Sequence, residues 1–471
     1  MGVEGLVAEM SAMRREIEAL GTRVAELEAE NAALRDENAA LRKTLEETRR
    51  AGKRQAGPFS RGKRNETPKK PGRKPGSAYG TQARREPPKE IDNTITVDCP
   101  LICPYCGGGV RLEGKTSQYQ TDIPPIAPET TEFEIHYGRC VRCQRRVQGR
   151  ETRQTSDATG EVGGVQIGPN TIAMTAHLNK ACGMSYARIT EVLEMIFGLR
   201  VNRSTLARSL LRLGRKAGPT YTNLIECIRG SPVVSPDETG WRIGGDKAWL
   251  WTAATPDTTV YQIEPGRGYA EAEKLLGEDF DGVLCVDGWA PYRGFEHAQI
   301  QTCLAHLLRR SKELREAPPT AACAAYFAKI AAVLQEALAL RDRRDEGTIS
   351  TRGLRIAKGK IEAKMDRLLD EPDLHDESIR FAMHLLRYRD GLFLFLDRPD
   401  VDATNYRAEQ AIRPAVINRK TSGGNRTPRG AEAQAVIMSV QRTAKQRLIS
   451  AFEAFKQMLR DPTPRVHLLG R

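Results

Sequence analysis

Two aspartates stand where apolar runs stop. Val233-Val234-Ser235-Pro236-Asp237 reads as a short buried strand ending in an acid. Val283-Leu284-Cys285-Val286-Asp287 does the same, and Gly288 lets the chain turn. In α/β sheets ligands collect at such carboxyl ends. If the two strands are neighbours, the carboxylates face each other there. Two such charges repel and desolvate badly unless a cation shares them, and hard oxygen donors point to Mg2+. Taken singly, each is also an ordinary strand-end turn residue.

A second constellation is made of thiols. Five of the ten cysteines fall between Cys99 and Cys143, as Cys103-Pro-Tyr-Cys106 and Cys140-Val-Arg-Cys143 with Cys99 to spare. Each C-x-x-C turn aims two thiolates at one point, and two such turns make a closed, structural four-cysteine site for Zn2+. The rival reading, a redox C-x-x-C, needs a βαβ context that this stretch lacks.

A third is helical. In Asp402-Ala-Thr-Asn405-Tyr-Arg-Ala-Glu409-Gln-Ala-Ile-Arg413-Pro414, a helix capped by Thr404 or Asn405 carries Asn405, Glu409 and Arg413 on one face, and is expected to close before Pro414. By itself this is equally a solvated face with a Glu–Arg pair.

The elements that must position these groups follow from periodicity. Trp241–Ile243, a Gly244-Gly245 turn and Ala248–Ala253 read as a hairpin. Thr259–Ile263 reads as a third strand and Ala270–Leu276 as a helix, with Val283–Val286 as the fourth strand. Three antiparallel strands, a helix and a strand ending in Asp is the order of a ribonuclease-H-like sheet. Ala321–Leu340, Arg355–Leu369 and Ser378–Leu396 have helical spacing, broken at Gly347 and Pro372, so residues 311–398 read as an all-α insertion. Upstream, Ser185 caps a helix through Phe197, Gly198 breaks it, and Ser204 caps Thr205–Leu213 with Arg208 and Arg212. That outline suits a helix-turn-helix, although any helical hairpin resembles one.

The N-terminal part is of another kind. Leu6, Met13, Leu20, Leu27, Leu34 and Leu41 recur every seven residues, with Met10, Ile17, Val24, Asn31, Asn38 and Leu45 in a second register. This predicts a parallel dimeric coiled coil rather than a helix packed on its own chain. Net charge is +13 over 471 residues, and it is clustered: residues 51–90 carry 12 basic and 3 acidic side chains, residues 400–471 carry 13 and 6, and residues 91–399 are neutral overall. Segment 51–90, with six Pro and six Gly, reads as a flexible basic linker. Arg73 and Lys74 in it suit a minor-groove arm or a solvated tether for phosphates. With 39% hydrophobic residues and no run near the ~18 apolar residues of a membrane span, a polytopic membrane protein is excluded. No secretory signal peptide is expected, which suggests the cytoplasm.

Taken together, Asp237-Glu238-Thr239, Val286-Asp287-Gly-Trp-Ala-Pro-Tyr292, Cys303-Leu-Ala-His306-Leu-Leu-Arg309-Arg310 and the Asn405–Pro414 stretch resemble the DDE transposases of the insertion-sequence-66 family. Leu304, Tyr406 and Gln410 depart from its usual pattern.

The resemblance implies an α/β fold in which a ribonuclease-H-like catalytic core is interrupted by an all-α insertion. It gives a coiled coil at 1–50, a linker at 51–90, a zinc-binding segment at 91–155 and a helical DNA-binding region at 156–228. The core follows at 229–310, the insertion at 311–398 and the rest of the core at 399–471. Asp237, Asp287 and Glu409 become a triad for Mg2+ or Mn2+. Arg413, Arg419 and Lys420 would hold phosphates, while Cys303, His306 and Asn405 form a core motif whose role the sequence does not give. Expected partners are DNA, a second copy of the chain and accessory transposition proteins, in a nucleoid-associated setting. The alternatives are a non-catalytic DNA-binding regulator and a ribonuclease-H-like nuclease without strand joining.

Overall fold

The structure is a computed structural model. It describes residues 87–155, 167–316, 318–371, 375–461, 463–467 and 469, with a few helical positions between 20 and 34. Leu20, Leu27 and Leu34 are helical and exposed. Asn31 of the second register is also helical and exposed; the other heptad positions and the basic linker through residue 86, including Arg73 and Lys74, lie outside the described residues.

The cysteine-bearing segment is almost wholly exposed and folds around two tight turns. Gly107 N–H donates to Cys103 O at 2.9 Å and Gln144 N–H to Cys140 O at 2.8 Å. A short antiparallel hairpin, β1 (Tyr137–Arg139) with β2 (Arg146–Gln148), flanks the second turn.

Three helices follow: α1 (Pro169–Ala176), which runs on into a π-helical stretch His177–Ala181, α2 (Tyr186–Phe197) and α3 (Arg203–Arg229). Helix α2 has the expected ends. Ser185 Oγ accepts the Arg188 N–H, and Gly198 leaves the helix at φ 64°. Helix α3 differs from expectation: it starts one residue before Ser204, after Asn202, and continues far beyond Leu213, through Pro219. Its apolar stripe explains the length, because Leu210, Leu213, Ala217, Leu224 and Ile228 are buried in the main core with sheet residues such as Val234 and Trp251. Arg208 is exposed and Arg212 half-buried.

The sheet is five-stranded and mixed. Its strands are β3 (Val233–Ile243), β4 (Asp246–Ala254), β5 (Thr259–Glu264), β6 (Val283–Val286) and β7 (Gln299–Thr302), in the order β5-β4-β3-β6-β7. β3, β4 and β5 are antiparallel, and β3, β6 and β7 parallel. The β3–β4 hairpin turns on Gly244 and Gly245 at φ 60° and 97°, the two positive values that a two-residue turn requires. Helix α4 (Tyr269–Leu276) covers one face.

After β7 come α5 (Leu304–Glu316), α6 (Ala321–Asp345), α7 (Thr351–Leu369), α8 (Asp376–Arg387) and the short α9 (Leu394–Asp397). They share a second core with Val283 and Cys285 of β6. Helix α6 is apolar and long enough to cross a membrane by length and composition, and its buried face centres on Phe327, Ile330 and Leu334. The single helix expected over Ser378–Leu396 is broken. Gly391 lies so close to β7 that a Cβ there would stand 1.8 Å from Ile300 O, and a continuous helix cannot make that approach.

Last are α10 (Tyr406–Ser422), α11 (Pro428–Gln446) and α12 (Ala451–Arg460). Helix α10 packs Ile412 and Ala415, and α11 packs Met438, with Trp241 and Leu250. Helix α11 also closes the free edge of β5, where Tyr261 N–H donates to Ser439 Oγ at 2.8 Å and Thr259 N–H to Thr443 Oγ1 at 3.1 Å. α11 also crosses α3 closely: a Cβ on Gly214 would sit 2.8 Å from Ala433 Cβ.

Candidate active site

Asp237 does not end its strand. β3 continues six residues beyond it on β4, where Asp237 pairs with Thr252. What ends is its pairing with β6, whose last register pair is Val234 with Leu284. Three residues further along each strand are Asp237 and Asp287. Equal offsets on parallel strands put them at the same level, and equal parity puts them on the same face. Asp287 follows the last residue of β6, and Gly288 then turns at φ 97°.

Each aspartate is held through one oxygen. Glu238 N–H donates to Asp237 Oδ1 at 2.8 Å, and Trp289 N–H to Asp287 Oδ1 at 2.9 Å. Burial, then the neighbouring Glu238 charge, then Asp287 and Glu409, push the Asp237 carboxyl up to about 7, against the single favourable bond from the Glu238 N–H. The charges of Asp287 and Glu409 thus both act on Asp237.

Glu409 comes from α10, one turn after Asn405. Asn405 is the pivot of the region. Its side chain is buried and donates from Nδ2 to Pro236 O at 2.9 Å, while its main-chain N–H donates to Cys303 Sγ at 3.1 Å. It precedes the helix without capping it through its side chain. Cys303 is buried and its own N–H donates to Val286 O at 2.7 Å. The Cys303–Asn405 contact thus joins β6, α5 and α10 immediately behind the carboxylates.

His306, one turn into α5, stands 3.6 Å from Glu409 Oε1 through Nε2. Contact with Cys303 raises the His306 pKa against the opposing effect of burial. For Cys303, burial raises the thiol pKa, but His306 and the Asn405 N–H outweigh it and the net shift is downward. Among the described residues no ion pair joins Glu409 to Arg413; Arg413 is exposed.

Helix α10 does not close before Pro414. It runs on to Ser422 and ends at Gly423, φ 74°. The turn that Pro414 weakens is supported from outside, since Tyr261 OH donates to Ala411 O at 2.5 Å. Arg419, expected as a phosphate ligand, is turned inward: its Nη1 donates to Gly240 O at 2.5 Å and to Thr239 Oγ1 at 3.3 Å. Lys420 is exposed.

Beside Asp287 lies a cavity of about 600 Å3 between α5 and α8, lined by Asp287, His306, Arg309, Arg310, Arg380 and His384, among others. Sequence reasoning missed what α8 and the turn after it bring here. Tyr388 OH donates to Gly288 O at 2.8 Å, and a Cβ on Gly288 would sit 3.1 Å from His384 Cε1. No spacing in the sequence ties His384 or Tyr388 to Asp287, about a hundred residues earlier.

Among the described residues no three His, Cys, Asp or Glu side chains are gathered closely enough to share a metal ion. The four cysteines form two separate turns, and the three acids converge electrostatically without closing into a cage. The chemistry of both donor sets still fits a cation. The carboxylates of Asp237, Asp287 and Glu409 would supply hard oxygens. In each C-x-x-C turn, N–H groups of the turn draw the first thiol, Cys103 or Cys140, below its ordinary pKa.

Two comparisons with known proteins bear on the family of this chain. An uncharacterized protein, y4jD, of Sinorhizobium fredii (strain NBRC 101917 / NGR234) is 25% identical over 374 residues, covering 73% of this chain and 71% of its own. The family model described as Transposase IS66 family matches residues 164–433, a span holding Asp237, Asp287 and Glu409. With more than half of its length matched, the chain belongs to the IS66 family of transposases.

Proposed function

We propose that this protein cuts DNA at the ends of a bacterial insertion sequence and joins the freed ends to target DNA, with Asp237, Asp287 and Glu409 as the catalytic acids. One observation carries the reading: the parallel strands β3 and β6 pair through Val234 and Leu284, and Asp237 and Asp287 each follow three residues later, which supports bringing their carboxylates together on one face. The strand order, three antiparallel strands followed by two parallel ones, supports a ribonuclease-H-like core.

These three acids would hold Mg2+ or Mn2+, which when bound neutralises charge at the phosphate and acidifies the attacking hydroxyl. The protein's own groups do the rest. Asn405 and Cys303 fix α10 so that Glu409 faces the aspartates. His306 keeps a proton near Glu409. Arg309, Arg310 and Arg380 line the cavity beside Asp287 and pair with backbone phosphates. Attack by water breaks the P–O3′ bond and leaves a 3′-hydroxyl and a 5′-phosphate; attack by that hydroxyl on a phosphodiester of a second duplex forms the new P–O bond and expels the target's own 3′-hydroxyl.

DNA is the partner this requires, engaged also by Arg208, Arg212, Arg413 and Lys420 and by the basic linker. A homodimer through the N-terminal heptads would pair two element ends. Accessory transposition proteins, a structural Zn2+ on Cys103, Cys106, Cys140 and Cys143, and a nucleoid-associated place in the cytoplasm belong to the same proposal.

The test is an element-end duplex incubated with the protein and Mg2+. Nicking at the 3′ ends followed by joining supports the reading. Nicking without joining makes the protein a nuclease, and binding with neither makes it a regulator. Nicking that persists in Asp237→Ala or Glu409→Ala removes the triad.

A further inference from the structure

The two main-chain groups that hold Asp237 and Asp287 belong to Glu238 and Trp289, and one side chain grips both residues. Arg267, in the loop between β5 and α4, donates Nε and Nη2 to Glu238 Oε1 at 2.9 and 2.7 Å. Its guanidinium lies between two indoles, 3.8 Å from the Trp289 ring centre and 4.5 Å from that of Trp249. Tyr292 OH donates to Glu238 Oε2 at 2.9 Å, so both oxygens of the Glu238 side chain, which is only 1% exposed, are engaged. Strand alternation turns Glu238 to the face opposite Asp237.

The Asp287 loop needs such support. β6 has ended at Val286, Gly288 has left the strand region, and the short 3₁₀ turn begins only at Ala290. Tyr388 OH holds the Gly288 carbonyl on one side, and the packing of the Trp289 ring on Arg267 holds the other, and with it the N–H that bonds Asp287. Glu238 is likewise fixed at its far end, so the N–H that holds Asp237 is fixed with it. We propose that Arg267 is a positioning residue: by clamping Glu238 and Trp289 it sets the spacing of Asp237 and Asp287 for a divalent cation, and Glu238 serves as its anchor instead of a fourth ligand. The proposal rests on the reading of the two aspartates given above.

A planar, bidentate, stacked guanidinium is needed for this; an ammonium at the same place cannot make both contacts. An ordinary buried ion pair would contribute to stability alone, and the two roles separate experimentally. Mn2+ affinity of the full chain without DNA is measured by calorimetric titration, and the thermal midpoint without metal by circular dichroism. Arg267→Lys and Arg267→Met are each expected to weaken Mn2+ binding about tenfold or more, as loss of a group behind the ligands does elsewhere. Arg267→Met also strands a buried carboxylate and lowers the midpoint. The double variant Glu238→Gln with Arg267→Met removes that charge, so its midpoint recovers while its Mn2+ affinity stays weak. A double variant that binds Mn2+ like the wild type overturns the proposal and leaves the pair purely structural. Asp287→Asn in the same titration separates the two claims: unchanged Mn2+ affinity there removes the cation reading itself, whatever Arg267 does.

Discussion

Asn405 Nδ2 donates to the carbonyl of Pro236, the residue before Asp237, at 2.9 Å, across 169 positions of sequence. This bond fixes where α10 begins relative to β3, and Glu409 follows one helical turn later. Asn405→Ala is expected to leave a buried carbonyl unpaired, at about 1–3 kcal/mol, and to let Glu409 drift. Strand cleavage should fall on the order of a hundredfold, as it does for ångström-scale misplacement of catalytic groups. The measurement is cleavage rate beside thermal midpoint; a midpoint loss with unchanged cleavage sinks this account of Asn405.

The Asp237 carboxyl gives a pH signature. Its folded pKa of about 7 lies above the ordinary 3.8, so protonation favours the fold. That contribution is fully present below about pH 4 and is lost as pH rises through 7, on the order of 4 kcal/mol in the metal-free protein. Denaturant titrations at pH 5 and pH 8 should show a steeper loss of stability in the wild type than in Asp237→Asn. Mg2+ should raise the wild-type midpoint more at pH 8, where protons no longer compete for the site. Equal pH slopes in the two proteins contradict the assignment.

Three basic side chains of α10 divide into two kinds. Arg419 is committed to Gly240 O and Thr239 Oγ1, whereas Arg413 and Lys420 are exposed. Arg419→Ala should therefore destabilise the protein, by about 1–3 kcal/mol for lost charge-assisted bonds to half-buried partners. Arg413→Ala and Lys420→Ala should leave the midpoint alone and each lower the slope of log K against log salt for duplex binding by about 0.9. An unchanged slope in both removes them from the DNA contact.

The two C-x-x-C turns are formed, but their four thiols are not gathered among the described residues. If one zinc joins them, purified protein should hold one equivalent by elemental analysis, and Cys103→Ser or Cys140→Ser should each abolish it, since a closed four-thiolate site does not survive loss of a ligand at neutral pH. Zinc retained in both variants places any bound ion elsewhere.

Much of the framework was legible because its signals are local. The Gly244-Gly245 turn, the Ser185 cap and the Gly198 stop each depend on a few adjacent residues, and they fall where expected. The errors share a cause. Pro414 looks like a helix stop when read locally, and Leu213 like the end of a short helix, but Tyr261 supports the first and a continuous buried stripe carries α3 past the second. Arg419 looks like a free cation until β3 is placed beneath it. The break at Gly391 depends on a backbone contact with Ile300, which no spacing encodes. Arg267, Trp249 and Trp289 come from three separate stretches, and only the folded sheet makes them neighbours.

The docking of α10 on β3 also sets an order of events during synthesis. Glu409 lies 172 residues after Asp237, and everything that seats it, from Asn405 on Pro236 to Asn425 on the Gly244 turn, is made after the helical block has left the ribosome. Such distant pairings form late, because the intervening chain must be closed first. The nascent protein therefore carries Asp237 and Asp287 for a long stretch of translation before α10 can dock on β3, and chains that stop before residue 405 never acquire that helix.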